Sequence, residues 1–242
     1  SWACIAEGAG EDVHIGNVMA AAQVRGFQAA DLASGRRVAA CPKHFVAYGG
    51  AEAGRDYNIV DISEITLREV FLPPFKAAFD AGAGSTMSAF NEIGGVPASG
   101  NALTLTQVLR HEWRWPGLVV SDYESVRELI PHGVAEDLKD AARIGLTTGV
   151  DMDMVSRAYV THLAELVAEG KVSEATIDEA VRRVLRLKFA LGLFENPYTD
   201  EALLPQVVAR PEHREASRWA AQRSMVLLRN EGGLLPLAKT LT

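Results

Sequence analysis

"GLVVSDY" at residues 117–123 decides the fold of this chain, because a short apolar run there ends abruptly in a carboxylate. A run of this length and composition is typical of a buried parallel strand, and α/β barrels carry their catalytic groups at the carboxyl ends of such strands. Asp122 is therefore the first candidate for a catalytic group. For an isolated Ser-Asp pair, the ordinary alternative is an aspartate that caps the next helix or turn.

Two further stretches have the same form. The run Val38-Ala39-Ala40-Cys41-Pro42 leads into Lys43-His44-Phe45, and the run at residues 85–90 leads into Asn91-Glu92. The parallel strands of a barrel bring their carboxyl ends to one rim, so three strand ends with polar side chains predict a single site. Together they favour a catalytic site over three unrelated junctions between strands and loops.

The composition narrows the class of protein. The chain has 242 residues, 48% of them hydrophobic, and a formal net charge of −7 without a basic cluster, which disfavours a nucleic-acid partner. No stretch approaches the roughly 20 apolar residues that span a bilayer, and the first residues lack the pattern of a signal peptide, so no membrane partner is expected. The two cysteines, Cys4 and Cys41, do not have the spacing of a metal site.

Segments typical of strands and helices alternate along the first part of the chain, which predicts successive βα units around a parallel sheet. The expected strands are residues 38–44, 85–90, 117–121 and 147–151. A complete eight-stranded barrel takes about 250 residues. The four strands therefore predict an α/β fold that is part of a TIM-like (β/α) barrel.

Helical patterns separate these strands. Ser63 is a suitable N-cap for a helix that runs to Ala81, and Pro73-Pro74 should break or kink that helix. The other expected helices are residues 103–114, 136–145, 156–169 with a stop at Gly170, and a long helix capped by Ser173 and ended by Gly192. Each of these helices is expected to cover the sheet with its apolar side.

The chain is predicted to divide into three parts. Residues 1–193 form the partial barrel, residues 194–211 form a linker rich in Pro, Asn and Asp, and residues 212–242 start a second α/β domain. In the last part, a helix is expected at 212–224 and a strand at 225–230, because a short apolar run follows the helix.

An ordered set of motifs resembles glycoside hydrolase family 3, and within it the β-glucosidase and β-xylosidase branch. The motifs follow one another along nearly the whole chain at natural spacings, which makes the match specific. They are residues 5–12, Lys43-His44-Phe45, residues 54–58 with Val60-Asp61, residues 87–91 with 94–97, Ser121-Asp122, residues 188–194, and residues 227–231 with 234–237. The resemblance implies a glycosidase that acts on β-linked sugars without a metal or an organic cofactor.

The resemblance also implies a retaining mechanism with a covalent glycosyl-enzyme. Asp122 matches the family's nucleophile, which must be an ionised carboxylate beneath the anomeric carbon. Lys43 and His44 match the pair that hydrogen-bonds the sugar hydroxyls at subsite −1. The lysine would also help to keep nearby carboxylates ionised. Without the family, His44 would be interpreted as a structural histidine in a hydrogen bond.

Three more residues are implied as parts of the substrate site. Arg55 matches an arginine that reaches the same sugar, if one residue is inserted in its loop. Met87 matches a residue that lines the pocket, and Tyr123 takes the place of an aromatic platform, commonly Trp, that packs on the sugar ring. Phe90 falls where relatives often carry a tyrosine. Alone, Arg55 would suggest an ion pair in a loop, and Met87 would suggest core packing.

The chain also departs from the family pattern. Relatives usually have Trp-Gly-Arg where this chain has Trp2-Ala3-Cys4, and a thiol cannot replace a guanidinium. The family's early barrel strands, with an aspartate that binds the sugar, have no counterpart before Ser1. Its acid/base glutamate comes from the second domain, of which only the start is expected here. We therefore expect the remaining segments of a parent protein, or a partner subunit, to complete the enzyme.

Several alternatives follow from these departures. The chain could be a catalytically incomplete fragment that binds sugar or assists assembly, or it could belong to a β-xylosidase. The family's N-acetylglucosaminidase branch is disfavoured, because the loop at residues 46–58 has no histidine. A dehydrogenase is disfavoured, because no glycine-rich phosphate loop follows any expected strand. The expected partner is a β-linked oligosaccharide or glycoside, and the family favours a periplasmic or secreted location over a cytoplasmic one.

Overall fold

The structure is a computed structural model that describes residues 8–29, 32–34, 37–55 and 57–240. The contacts divide the chain into two compact units, Ser1–Pro197 and Tyr198–Thr242, which we describe separately. Cys4, with the departure from the family pattern around it, lies outside the described residues.

The first unit contains four parallel segments that lie side by side in chain order. β2 (Ser85–Met87) pairs in parallel with β5 (Leu118–Val120). Residues 40–45 run along the other edge of β2, where the Phe45 amide donates to the Met87 carbonyl (2.7 Å). Residues 150–152 run along β5. These positions confirm strands within the expected segments 85–90 and 117–121, where β2 and β5 form a regular ladder. The segment expected at 38–44 runs beside β2 but is not a regular strand, and its neighbour Phe45 forms an isolated bridge to Ser88.

A second sheet, of three short strands, includes the segment that follows β2 in the chain. β3 (Glu92–Ile93) pairs in parallel with β1 (Ile59–Val60) and antiparallel with β4 (Val96–Pro97). The turn between β3 and β4 is Gly94-Gly95, and both glycines have positive φ values, of 60° and 80°. Two such residues form the tight turn that hairpins favour. The loop after β2 is therefore a defined structure that holds Glu92 in a ladder on both sides.

Helices cover the sheet and begin at identifiable caps. α1 (Val13–Gln28), which the sequence analysis did not predict, begins at Asp12, whose Oδ1 accepts the Ile15 amide (2.8 Å). The later helical elements of this unit are α2 (Glu64–Thr66), a π-helical turn (Leu67–Phe71), α3 (Leu72–Asp80), a π-helical segment (Leu103–Glu112), α4 (Leu138–Thr148), α5 (Ala158–Ala168) and α6 (Glu174–Ala190). Ser173 caps α6 as expected. None of the described helices is both long enough and apolar enough to cross a membrane.

The helix expected from Ser63 to Ala81 forms, but Pro73-Pro74 does not break it. The Ser63 hydroxyl accepts the Thr66 amide (3.1 Å), as predicted for an N-cap. The π-helical turn Leu67–Phe71 lies directly before the two prolines. A wider turn at this point leaves room where a proline ring would meet the preceding turn of an α-helix. The chain therefore continues as α3, which packs on α1.

The boundary expected between residues 145 and 147 is wrong. α4 continues to Thr148 and ends at Gly149, which has a φ of 113°. Gly145 lies inside this helix, where a β-carbon would come within 3.0 Å of the Tyr159 hydroxyl. Gly145 therefore permits close packing of α4 instead of ending it. The fourth strand segment begins only at Val150.

The second unit has no buried residue among those described. Its helices are α7 (Leu204–Val207) and α8 (Pro211–Ser224). The strand expected at 225–230 is wrong for this structure, because Met225 to Leu228 lie in irregular backbone with 64–91% of each residue exposed. A strand forms only with a partner, and residues 198–240 supply none. The start of a second domain at 212–242 remains a prediction.

Candidate active site

Asp122 and His44 meet at the carboxyl ends of two sheet segments. Asp122 is the second residue after β5, and His44 precedes Phe45, whose fully buried ring anchors its segment in the core. The distance from His44 Nε2 to Asp122 Oδ2 is 3.3 Å, and each side chain is 12% exposed. Two residues that are 78 positions apart in the chain therefore lie together, as expected for strands that share one rim.

One oxygen of the Asp122 carboxylate accepts a hydrogen bond from the protein, and the other does not. Oδ1 accepts the Tyr123 amide (2.7 Å). Oδ2 is buried and accepts no hydrogen bond from the described residues, although His44 Nε2 lies 3.3 Å away. A buried polar atom without a partner is costly, and folded proteins rarely keep one. Oδ2 is therefore the atom of this site that is available to a ligand or a reacting carbon.

Both carboxylate oxygens of Asp151, in the segment that runs along β5, accept hydrogen bonds from the protein. Its Oδ1 accepts Arg183 Nη1 (2.7 Å), and its Oδ2 accepts Arg110 Nη2 (2.9 Å) and the Val119 amide (2.9 Å). Asp153 is occupied as well, by the hydroxyl and amide groups at the start of α5. Asp151 therefore joins α6 to the sheet, and neither carboxylate has an oxygen available for chemistry.

Lys43 is exposed beside His44 and lines a cavity of about 320 Å³. Within the described residues its ammonium group forms no ion pair, so the charge is available to a ligand. Burial raises the pKa of the Cys41 thiol in the same wall, which keeps that thiol neutral at neutral pH. The rest of the wall is mostly apolar and consists of Ala20, Gln23, Val24, Phe27, Ala40, Pro42, Pro74, Phe75 and Ala78.

The other three residues implied by the resemblance lie in different surroundings. Met87 is half-buried at the end of β2, on the segment next to Lys43. Tyr123 directly follows Asp122 and is 58% exposed, so its ring is accessible at the rim. Arg55 is exposed in a loop, and the described residues give its guanidinium no hydrogen bond or ion pair. The structure therefore does not bring Arg55 to Asp122, and its role remains a prediction.

An aromatic wall that the sequence analysis missed stands beside His44. The His44 ring lies 4.8 Å from the Tyr48 ring, which in turn is 6.3 Å from Phe90. The Tyr57 ring also packs against Phe90, with 4.4 Å between the ring centroids. The available signal was Tyr48, four residues after His44. Such a wall could present apolar faces and hydroxyl groups to a sugar.

A chain of buried serines, also missed, lies beneath Asp122. The hydroxyls of Ser88, Ser99 and Ser125 follow one another at 2.7 Å each. The Ser125 amide donates to the Asp122 carbonyl (3.1 Å), and the Ser121 hydroxyl donates to the same oxygen (2.9 Å). Because all these groups are buried, the backbone at Asp122 is held in one position.

Glu128 and His132 lie in the loop that follows Asp122. His132 Nδ1 and Glu92 Oε1 are 2.5 Å apart, and each side chain is 16% exposed. Burial raises the pKa of the nearby Glu128 carboxyl, the charges of Asp122 and Glu124 raise it further, and His132 opposes the rise.

No group of three or more metal-ligating side chains was found among the described residues.

Comparison with known proteins gives consistent matches. Residues 1–187 match the model of the Glycosyl hydrolase family 3 N terminal domain. The chain is 41% identical to a periplasmic β-glucosidase of Salmonella typhimurium, over 99% of this chain and 32% of that protein. It is 34% identical to a β-xylosidase of Formosa agariphila, over 96% of this chain and 34% of that protein. The chain thus spans about a third of the length of these relatives.

Solved structures give the same result. The chain superposes on a crystal structure of a β-glucosidase from Listeria innocua with a TM-score of 0.92 and 42% identity, over 97% of this chain and 33% of that one. The Listeria enzyme has been crystallised with glucose, and an aspartate-to-alanine mutant of it with laminaribiose.

Proposed function

Because this chain belongs to glycoside hydrolase family 3, whose N-terminal domain is a TIM-like barrel, we propose that it carries the nucleophile of a retaining β-glucosidase. The observation that carries the proposal is Asp122 Oδ2, a buried carboxylate oxygen without a hydrogen bond, at a strand end beside His44. A retaining glycosidase needs such an oxygen beneath the anomeric carbon. The occupied oxygens of Asp151 and Asp153 make these residues poor candidates for the role.

The proposed reaction has two steps at one carbon. Asp122 Oδ2 forms a bond to the anomeric carbon while the glycosidic bond breaks, and its electron pair leaves with the aglycone oxygen, which takes a proton from an acid. Water then loses a proton to the conjugate base and attacks the same carbon, which breaks the ester and releases Asp122. Two inversions give net retention of the β configuration.

Mass spectrometry can test this assignment directly. We expect 2,4-dinitrophenyl 2-deoxy-2-fluoro-β-D-glucoside to inactivate the full-length protein and to leave its sugar on the peptide that contains Asp122. The fluorine slows both steps, and the good leaving group compensates only in the first, so the ester accumulates. Label on Asp151 or Asp153 would contradict the assignment. Sugar binding without any label would favour the alternative of a fragment that only binds sugar.

Glucose is the proposed sugar, because the Salmonella and Listeria relatives are β-glucosidases. The match to a β-xylosidase keeps xylose as the second candidate. The two sugars differ by one hydroxymethyl group, and a group of that size typically changes specificity by about 10–200-fold. The ratio of kcat/KM for the two 4-nitrophenyl β-glycosides therefore decides between them.

We expect Lys43→Ala to lower kcat/KM on an aryl β-glucoside by about tenfold to a hundredfold. The unpaired ammonium would hold a sugar hydroxyl more tightly as the ring flattens toward the transition state, and such a bond contributes about 1.5–3 kcal/mol. Lys76→Ala, which removes an exposed lysine on α3, is the matched control and should have no effect. Unchanged kcat/KM in Lys43→Ala would assign Lys43 a purely structural role.

The proton donor is proposed to come from outside these 242 residues, from a longer polypeptide or a partner subunit. This part rests on the four described strand segments, about half of an eight-stranded barrel, and on the match to a third of each relative. General acid catalysis contributes about 100-fold to 10,000-fold when the leaving group is an ordinary alcohol. General acid catalysis contributes little when the leaving group is dinitrophenolate, because this group leaves without taking a proton.

We therefore expect the 242-residue chain to lag behind a polypeptide of the relatives' length by about a hundredfold or more on an alkyl β-glucoside. The deficit should be much smaller on dinitrophenyl β-glucoside, which serves as the internal control. Equal turnover of the alkyl glucoside by a monomer of the 242-residue chain would contradict this part of the proposal.

A periplasmic or secreted location is proposed from the periplasmic Salmonella relative. The measurement is cell fractionation with an antibody to this chain. Recovery with cytoplasmic markers alone would overturn the assignment.

A further inference from the structure

The hydroxyl of Ser121 joins Asp122 to a neighbouring part of the chain. Ser121 directly precedes Asp122 and is fully buried. Its Oγ donates to the Asp122 carbonyl (2.9 Å) and accepts the Met154 amide (2.8 Å). One side chain therefore connects the residue that carries the unpaired carboxylate oxygen to the residues that follow the segment along β5.

Backbone hydrogen bonds accompany this connection before and after Asp122. The Ser121 amide donates to the Met152 carbonyl (2.9 Å), and the Glu124 amide donates to the Met154 carbonyl (3.0 Å). The turn that contains Asp122 is therefore bonded to residues 152–154 on both sides of the carboxylate. The Ser121 hydroxyl adds a side-chain bond to this set.

Residues 152–154 are themselves fixed to a helix. Asp153 Oδ2 accepts the Ala158 amide (2.9 Å) at the start of α5, and Asp153 Oδ1 accepts the Ser156 hydroxyl (2.5 Å). Such bonds at the beginning of a helix hold the preceding chain in a defined conformation. The Ser121 hydroxyl thus connects Asp122 to a support that is anchored at α5.

Three hydrogen bonds determine the conformation of Asp122. Its carbonyl accepts the Ser121 hydroxyl and the Ser125 amide (3.1 Å), and its Oδ1 accepts the Tyr123 amide (2.7 Å). The backbone conformation decides which side-chain rotamers are allowed, so the bonds at the carbonyl also influence where Oδ2 points. Without the Ser121 hydroxyl, the carbonyl would lose one of these two partners and the Met154 amide would lose its acceptor.

We propose that Ser121 is a positioning residue, whose hydroxyl holds Asp122 so that Oδ2 meets the anomeric carbon. The proposal rests on the proposed function, in which Asp122 is the nucleophile. Attack needs the reacting atoms near 3–3.5 Å, and a misplacement of about 1 Å can cost about a hundredfold in rate. Ser121 is fully buried, so its hydroxyl acts on the attack through Asp122 and does not hold the sugar itself.

The test measures how 2,4-dinitrophenyl 2-deoxy-2-fluoro-β-D-glucoside labels Asp122 in the full-length protein. In Ser121→Ala we expect the labelling rate at saturation to fall by about tenfold to a hundredfold. The concentration that gives half of the maximal rate should change by less than about threefold, because binding of the sugar does not use the hydroxyl. Ser121→Thr, which keeps the hydroxyl, should label faster than Ser121→Ala.

Ser85→Ala is the matched control. It also removes a buried serine hydroxyl that donates to a backbone carbonyl, that of Ala40 (3.1 Å), but Ser85 lies at the amino end of β2, away from the rim. It should label at the wild-type rate, at a temperature where circular dichroism shows every variant to be folded.

Three results would overturn the proposal. They are a lower melting temperature of Ser121→Ala with an unchanged labelling rate, equal slowing in Ser85→Ala, and labelling of Ser121→Thr no faster than that of Ser121→Ala. If the wild-type protein is not labelled while it still binds sugar, the proposed function fails and this inference fails with it. Labelled wild-type protein with slow labelling of Ser121→Ala alone supports both.

Discussion

Asp122→Asn is expected to lower kcat by about four orders of magnitude, the loss typical of a residue on which covalent catalysis depends. The amide keeps the size of the carboxylate but carries no charge, so it cannot form the glycosyl ester. The fold should be retained, because Oδ2 has no hydrogen bond from the described residues to lose. We expect the melting temperature to change by less than about 4 °C.

Chemical rescue makes this prediction sharper. In Asp122→Ala, azide can enter the vacated space and attack the anomeric carbon of dinitrophenyl β-glucoside from the same face. One inversion then gives α-glucosyl azide, with the electron pair of the broken bond leaving on dinitrophenolate. A β-glucosyl azide would instead identify Asp122 as the acid/base residue and contradict the assignment.

Asp151→Ala is expected to have the opposite phenotype, a large loss of stability. Removal of the carboxylate leaves Arg110 and Arg183 buried or half-buried without a counter-charge, and it removes the carboxylate oxygen that accepts the Val119 amide. Breaking a buried ion pair from one side costs about 3–5 kcal/mol. For a unit of this size the melting temperature should fall by about 6–20 °C.

Asp80→Ala provides the matched control, since it removes the same side chain from an exposed pair with Lys76. Exposed pairs contribute about 0–1 kcal/mol, so the melting temperature should fall by no more than about 4 °C. Equal shifts for Asp80→Ala and Asp151→Ala would mean that the arginine network contributes little. A loss of kcat without a loss of stability in Asp151→Ala would contradict the structural assignment.

The features that could be predicted from the sequence are those that depend on a few adjacent residues. The apolar run before Asp122, the run before Lys43 and the cap at Ser63 each carry their own signal, and all three lie where expected. Hydrophobic runs and caps act over one turn or one strand, so a single window of sequence contains the cause. The position of Asp122 at the end of β5 could therefore be predicted from the sequence.

Features that depend on a distant partner could not be predicted. Glu92 and His132 are 40 residues apart, and nothing near either residue specifies the other. The helix end expected at Gly145 failed for a similar reason, because this glycine accommodates Tyr159 from α5. The expected strand at 225–230 lacked a partner among the described residues. In each case the deciding contact belongs to another part of the chain.

The order of the sheet segments along the chain determines when each segment can pair during translation. Each segment pairs with the one made just before it, so pairing can proceed while the ribosome is still translating. Phe45 nevertheless cannot pair until Ser88 has been synthesised. At about 5–20 residues per second, the time between the synthesis of these two residues is about 2–9 seconds. During it the nascent chain displays an apolar segment that chaperones bind, so we expect codon choice between these two positions to influence the yield of folded protein.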